Sequence, residues 1–309
     1  MIIKWILIGI HGHMKKTKEQ IIEDLKLIDI VIEILDARVP LAGQNPDIED
    51  AIKNKKKIIV LNKADLADNN STNKWIEYYA KKGIKAVAVE ANTSKGIKDV
   101  IEAIKEEYSE IKEKYAQKGR IGKAIRVMVV GIPNVGKSTF INGLAKRNTA
   151  KVGNKPGVTK QKQWIKVTND IELMDTPGML WPKFKDNELA THLAFVGTIG
   201  ENSVDKEEIA YYLLDYLIKN YPRKLEDRFN VKVHKTGNEQ DVEASISDEE
   251  SKKETKETME VLEELARKRG ALLSGGNINM QKISDIILNE FQSGKLGRIT
   301  IELPRWNIN

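Results

Sequence analysis

Gly131-Ile-Pro-Asn-Val-Gly-Lys-Ser138 has the spacing G-x-x-x-x-G-K-[ST] and follows directly on the apolar run Ile125 to Val130, so it reads as strand, glycine loop, helix. Glycines at 131 and 136 let the backbone turn its N–H groups inward around an oxyanion, and the following helix adds its positive N-terminal end. Lys137 would reach the outer phosphates of a nucleotide as a point charge, and the Ser138 hydroxyl would complete the coordination of Mg²⁺. Asn134, Val135, Gly136, Lys137, Ser138 and Thr139 are therefore the expected phosphate-side contacts.

A second pattern, Asn62-Lys63-Ala64-Asp65, closes the β-branched stretch Lys57 to Leu61. A carboxylate at Asp65 can accept two hydrogen bonds from the ring N–H and exocyclic amine of guanine, a donor pair that adenine lacks. A site that leaves polar groups unpaired around the wrong base discriminates by about four to five decades in favourable cases. Asn62 would brace this loop and the stem of Lys63 would cover the base face. The loop at 91–95, with Asn92 and Thr93, either lines the base pocket or caps the helix after it. Asp175-Thr176-Pro177-Gly178 ends a further strand: Asp175 can hold Mg²⁺, commonly through water, and the Gly178 N–H can meet a γ-phosphate. Each short pattern alone is a common turn. The phosphate-loop pattern alone would arise by chance in about one such chain in a hundred, and the coincidence of all of them at strand ends is far rarer.

The positioning elements follow from periodicity. Apolar spacing predicts helices at 21–28, 48–53, 72–82 and 97–118, strands at 30–35, 57–61, 84–89 and 125–130, and a hairpin-like pair at 164–168 and 171–174. Beyond these, helices fit 206–220, with Asp205 and Glu208 as a capping pair, 256–268 and 278–292. Gly237 to Lys253 is polar and acid-rich and reads as a mobile linker or long loop. Tyr211, Tyr212 and Tyr216 recur at helical spacing, which favours core packing over base stacking.

The chain has 309 residues, enough for two domains, and no cysteine, which removes disulfides, thiolate zinc sites and thiol nucleophiles together. Its net charge of +6 is uneven: Lys114 to Lys166 holds thirteen Lys and Arg and no Asp or Glu. That asymmetry suggests a polyanionic partner, the alternative being a Lys-rich solvated surface. Trp5 to Ile10 is far shorter than the roughly 20 residues of a membrane span. His11 and His13 invite a metal reading that lacks a third ligand.

The motif order is unusual: the base-reading Asn62–Asp65 and the 91–95 loop precede the phosphate loop, Thr159 and D-T-P-G, whereas most GTPases run the other way. This is a circular permutation, tolerable in a doubly wound sheet whose chain ends lie close together. With Gly12-His13-Met14, Asp36-Ala37-Arg38-Val39-Pro40, Pro156-Gly157-Val158-Thr159, Gly275-Gly276 and the tail Ser293 to Arg298, the sequence resembles the circularly permuted GTPases of the RbgA/YlqF type over nearly its whole length.

The resemblance implies an α/β fold, in which a circularly permuted Ras-like P-loop GTPase domain with a doubly wound, mostly parallel sheet (1–188) precedes a smaller all-helical C-terminal domain that touches ribosomal RNA (189–309). It also implies GTP hydrolysis with Mg²⁺ held by Ser138, Thr159 and Asp175, catalysis by Lys137, Thr159 and Gly178, and low intrinsic activity stimulated by the large ribosomal subunit. A cytoplasmic monomer away from membranes is expected. Met179 stands where Ras-like enzymes carry the water-orienting glutamine, and a thioether cannot replace it. By the resemblance His13 supplies that role, although the family's Trp-Phe-Pro-Gly-His-Met is altered here and His11 occupies the place of its proline. Asn134 suggests K⁺ beside the β- and γ-phosphates, or a loop-stabilising amide. The rival reading is an RNA-binding scaffold that uses GTP as a structural ligand.

Overall fold

The computed structural model describes residues 19–53, 55–117, 124–145, 164–176, 187–199, 204–233 and 248–305. His13, Thr159, Gly178 and Met179 lie outside the described residues, as does most of the acid-rich stretch at 237–253. By their contacts, the described residues up to Leu193 form one unit with those from Thr300 onward, and Ala194–Ile299 form a second.

In the first unit, helical residues 19–24 tighten into a single 3₁₀ turn at Leu25–Leu27 before β1 (Ile30–Asp36). Then come α1 (Pro46–Ile52), β2 (Lys56–Asn62), α2 (Asn69–Lys81), β3 (Lys85–Val89) and α3 (Ile97–Ala116). The chain continues through β4 (Ile125–Gly131), α4 (Lys137–Ala145), β5 (Trp164–Lys166), β6 (Ile171–Asp175) and α5 (Asn187–Phe195). The six strands lie in the order β3-β2-β1-β4-β6-β5, all neighbours parallel except β5 against β6. This is the mostly parallel, doubly wound sheet expected from the strand–helix alternation. From β1 the chain winds outward to β3, then α3 carries it back so that β4 pairs with the other side of β1. The topological switch point therefore falls between β1 and β4, where open α/β sheets bind ligands at the carboxyl ends of their strands.

Every residue of β1 is buried, as a strand covered on both faces requires. On one face Val31 packs with Ile21, Leu25, Ile52, Met128 and Met174, and Leu35 with Ile59, Leu61, Trp75 and Tyr79. Glu33, the buried carboxylate in the middle of β1, pairs with Lys57 of β2 at 2.8 Å. Gly96 begins α3 at φ 81°, where a Cβ would come within 2.3 Å of the Ala88 carbonyl oxygen. Only glycine fits so close an approach of loop to strand.

In the second unit, α6 (Lys206–Asn220), α7 (Pro222–Phe229), α8 (Asp248–Lys268) and α9 (Met280–Gln292) pack around Leu213, Leu214 and Leu217 of α6. Asp205 caps α6 by accepting from the N–H groups of Glu207 and Glu208 at 2.9 and 3.3 Å. The Glu208 carboxylate instead accepts from the Tyr212 hydroxyl at 3.3 Å, so the expected reciprocal cap is half made. The leucines form the core face of α6, and Tyr211, Tyr212 and Tyr216 sit half-buried on its flanks. Arg228 of α7 forks onto Glu290 of α9 at 2.6 and 2.9 Å, and Thr258 of α8 donates to Asp215 of α6 at 3.0 Å.

Two sequence expectations change here. Helix α8 starts at Asp248, inside the stretch read as a linker. The domain read as 189–309 is not continuous either: the chain from Thr300 belongs with the first unit. The physical reason is a set of hydrogen bonds there. The Asp68 N–H donates to Thr300 Oγ1 at 3.0 Å, and the Ile301 N–H donates to the Arg38 carbonyl at 2.9 Å. The indole of buried Trp75 donates to the Glu302 carbonyl at 2.9 Å.

Candidate functional site

The strand register brings the motif residues to one edge of the sheet. Asp36 is level with Asn62, Asn62 with Val89, Ile34 with Gly131 and Val129 with Asp175. The chain leaves each of these strands at the same end, so the loops 62–65, 90–95 and 131–137 and the Asp175 carboxylate are neighbours by topology.

Asn62 is the joint between the first three loops. Its side-chain amide donates to the Val135 carbonyl at 2.8 Å, and its Oδ1 accepts from the Ala91 N–H at 3.2 Å. This is the bracing role expected of it, with both ends of one buried amide in use. Gly136 has φ 90°, and a Cβ there would stand 2.4 Å from Asn62 Nδ2, so the glycine both permits the loop conformation and makes room for the brace. Gly131 is similarly tight, its Cβ position lying 2.9 Å from the Ile34 carbonyl oxygen.

Lys63 adds a second link: its ammonium donates to the Asn134 carbonyl at 2.9 Å and pairs with Asp36 at 3.1 Å. Asp36 in turn holds the Arg38 fork through both oxygens, at 2.9 and 2.8 Å. Burial alone would raise the Asp36 carboxyl, but the Arg38 guanidinium and the Lys63 ammonium outweigh it and hold the group well below the usual carboxylate range. Asp65 is exposed at the mouth of the loop, as are Asn92, Thr93 and Asn134. The 91–95 loop is pinned at Glu90, whose carboxylate takes Lys95 at 2.8 Å and the Thr93 hydroxyl at 3.2 Å.

On the phosphate side, Lys137 Nζ lies 2.5 Å from Asp175 Oδ1, both side chains about nine-tenths buried. The Thr176 hydroxyl anchors the strand end by donating to the Val129 carbonyl at 2.7 Å. Ser138 and Thr139 are half-buried at the start of α4. The donor set here is a hydroxyl and a carboxylate, hard oxygens that suit Mg²⁺. Among the described residues no group of three or more His, Asp or Glu could hold a metal.

The sequence named Asp36 and Arg38 as a motif without giving either a role, and it left His192 and Glu302, which lie 2.8 Å apart, unremarked. Asp36 ends β1 and begins that D-A-R motif; no local pattern marks His192 or Glu302.

Fold and site together define a P-loop GTPase whose motifs run in permuted order. The family model of the 50S ribosome-binding GTPases matches residues 126–268, starting at the strand that carries the phosphate loop. The ribosome biogenesis GTPase A of Bacillus cereus is 41% identical over 304 residues, covering 98% of this chain and 95% of that protein. That of Thermotoga maritima is 31% identical, with 95% and 93% covered. The crystal structure of GNP-bound YlqF from T. maritima superposes with a TM-score of 0.60 at 27% identity, over 94% of this chain and 99% of that one. The chain belongs to the ribosome biogenesis GTPase A family, and it is a GTPase. Among the described residues no helix is long and apolar enough to cross a membrane.

Proposed function

We propose that this protein hydrolyses GTP to GDP and phosphate, slowly alone and faster on the large ribosomal subunit, and acts there as a timing switch during assembly. The observation that carries the reading is the double link from the base loop to the phosphate loop, Asn62 to Val135 and Lys63 to Asn134, in a chain of this family. Asp65 reads guanine, Asn92 and Thr93 line the base pocket, and residues 134–139 cradle the phosphates. Lys137 leaves Asp175 for the outer phosphates when nucleotide enters, which frees that carboxylate for the cation alongside Ser138 and Thr159. Mg²⁺, when bound, neutralises charge on the β- and γ-phosphate oxygens. Gly178 meets the γ-phosphate through its N–H, and the His13 imidazole orients the attacking water once the ribosomal surface presses the N-terminal loop inward, since Met179 cannot. Asn134 would hold K⁺, which would add positive charge beside the β- and γ-phosphates; equal rates in matched K⁺ and Na⁺ buffers would remove that part.

The helical unit and the acid-free stretch Lys114 to Lys166 are the proposed contacts with ribosomal RNA. The protein works as a cytoplasmic monomer. The experiment is single-turnover GTP hydrolysis by the wild type and His13→Ala, with and without large-subunit particles. Stimulation of the wild type that is lost in His13→Ala, at near-normal GTP affinity, is the expected result. Absence of any stimulation would favour an RNA-binding scaffold that keeps GTP as a structural ligand.

A further inference from the structure

Asp36 is the motif residue that the nucleotide site, as assigned above, leaves without a role. It ends β1 beside both nucleotide loops, and its carboxylate is buried. Arg38 alone nearly satisfies it: Oδ1 accepts from the Arg38 N–H at 3.1 Å and from Nε at 2.9 Å, and Oδ2 from Nη2 at 2.8 Å. A second cation, Lys63, nevertheless approaches Oδ2 to 3.1 Å. That lysine belongs to the base-reading loop, and the same ammonium donates to the Asn134 carbonyl of the phosphate loop. Lys63 has φ 57°, a left-handed conformation that a residue with a Cβ adopts only where its surroundings hold it. The conformation at Lys63 sets the direction in which the chain leaves for Asp65, two residues on.

We infer that Asp36 is a positioning residue for guanine-nucleotide binding: by anchoring the Lys63 ammonium between β1 and the Asn134 carbonyl, it holds the base-reading loop against the phosphate loop. The inference rests on residues 62–65 being the base loop. A purely structural Asp36 would close the turn to Arg38 and have no effect on nucleotide that passes through Lys63.

The experiment measures the dissociation constant of fluorescent GDP for the full chain in three variants: Lys63→Gln, the paired Asp36→Asn with Arg38→Gln, and all three substitutions together. Replacing Asp36 and Arg38 as a pair leaves no lone buried charge. Each of the first two variants is expected to weaken binding about tenfold, and the combination no more than the weaker of them, because both break one link. Effects that multiply in the combination, or wild-type affinity in Lys63→Gln, overturn the inference. Should the paired variant fail to fold, Lys63→Gln decides: a tenfold loss at unchanged melting temperature supports it, and wild-type affinity sinks it. Base reading is tested apart, with xanthosine diphosphate and Asp65→Asn; failure of that switch would remove the pocket assignment while leaving the Asp36–Lys63 coupling measured.

Discussion

The Glu302 carboxylate stands 2.8 Å from His192 Nδ1 and accepts the backbone N–H groups of Leu41 at 2.6 Å and Ala42 at 3.1 Å. One buried side chain thus ties the end of the described chain to helix α5 and to the turn that follows Arg38. Glu302→Ala would strand these donors, and a loss of about 3 kcal/mol is expected, with Glu302→Gln costing about half because one acceptor oxygen remains. Urea unfolding of both variants measures it; a loss below about 1 kcal/mol would show that water substitutes for the carboxylate.

Asp36 makes stability depend on acid. Its carboxyl in the folded chain is held below the ordinary range by Arg38 and Lys63, which outweigh burial, so the folded state favours the ionised form. The resulting stability is fully present above the unfolded value of about 3.9 and is lost as pH falls towards the folded value. Between about pH 5 and pH 2.5 the wild type should therefore lose more stability than the paired Asp36→Asn, Arg38→Gln variant. Parallel acid limbs in urea midpoints would contradict this.

Gly136→Ala tests the brace. The new Cβ would meet Asn62 Nδ2, which is tethered at its other end by Ala91, and the residue would keep a positive φ. A stability loss of about 2 kcal/mol and at least about tenfold weaker GDP binding are expected. Thermal melts and GDP titration read the two effects separately, and wild-type binding would show that the loop shifts without cost.

Asp65→Asn addresses the base. An amide offers a donor where the carboxylate only accepts, so preference should move from GTP towards xanthosine triphosphate, by about two decades or more in the ratio of affinities. Competition between the two nucleotides measures the ratio, and an unchanged one refutes the pocket.

The legible parts of this molecule are those whose chemistry is local. Gly131 to Ser138 and Asn62 to Asp65 stand out because the proposed roles, a phosphate cradle and a base reader, need fixed residues at fixed spacing, and the strands that carry them are β-branched runs. The strand read at 57–61 is observed as Lys56–Asn62, and the pair at 164–168 and 171–174 as antiparallel β5 and β6. Helix α7 escaped because Pro222 to Phe229 is charged, with Leu225 and Phe229 its buried side chains. The path of Thr300 to Glu302 escaped for another reason. Its partners at Arg38, Leu41, Asp68 and Trp75 are more than two hundred residues away in sequence, and such contacts impose no period on either segment.

The residues after Ile299 are thereby part of the front of the protein. The Arg38 carbonyl, the Trp75 indole and the Leu41 and Ala42 amides all spend their hydrogen bonds on Ile301 and Glu302. A truncation before Thr300 would look in a gene like the trimming of a tail behind the helical unit. Its damage would instead appear in the nucleotide-binding half, beside the carboxylate that holds Lys63.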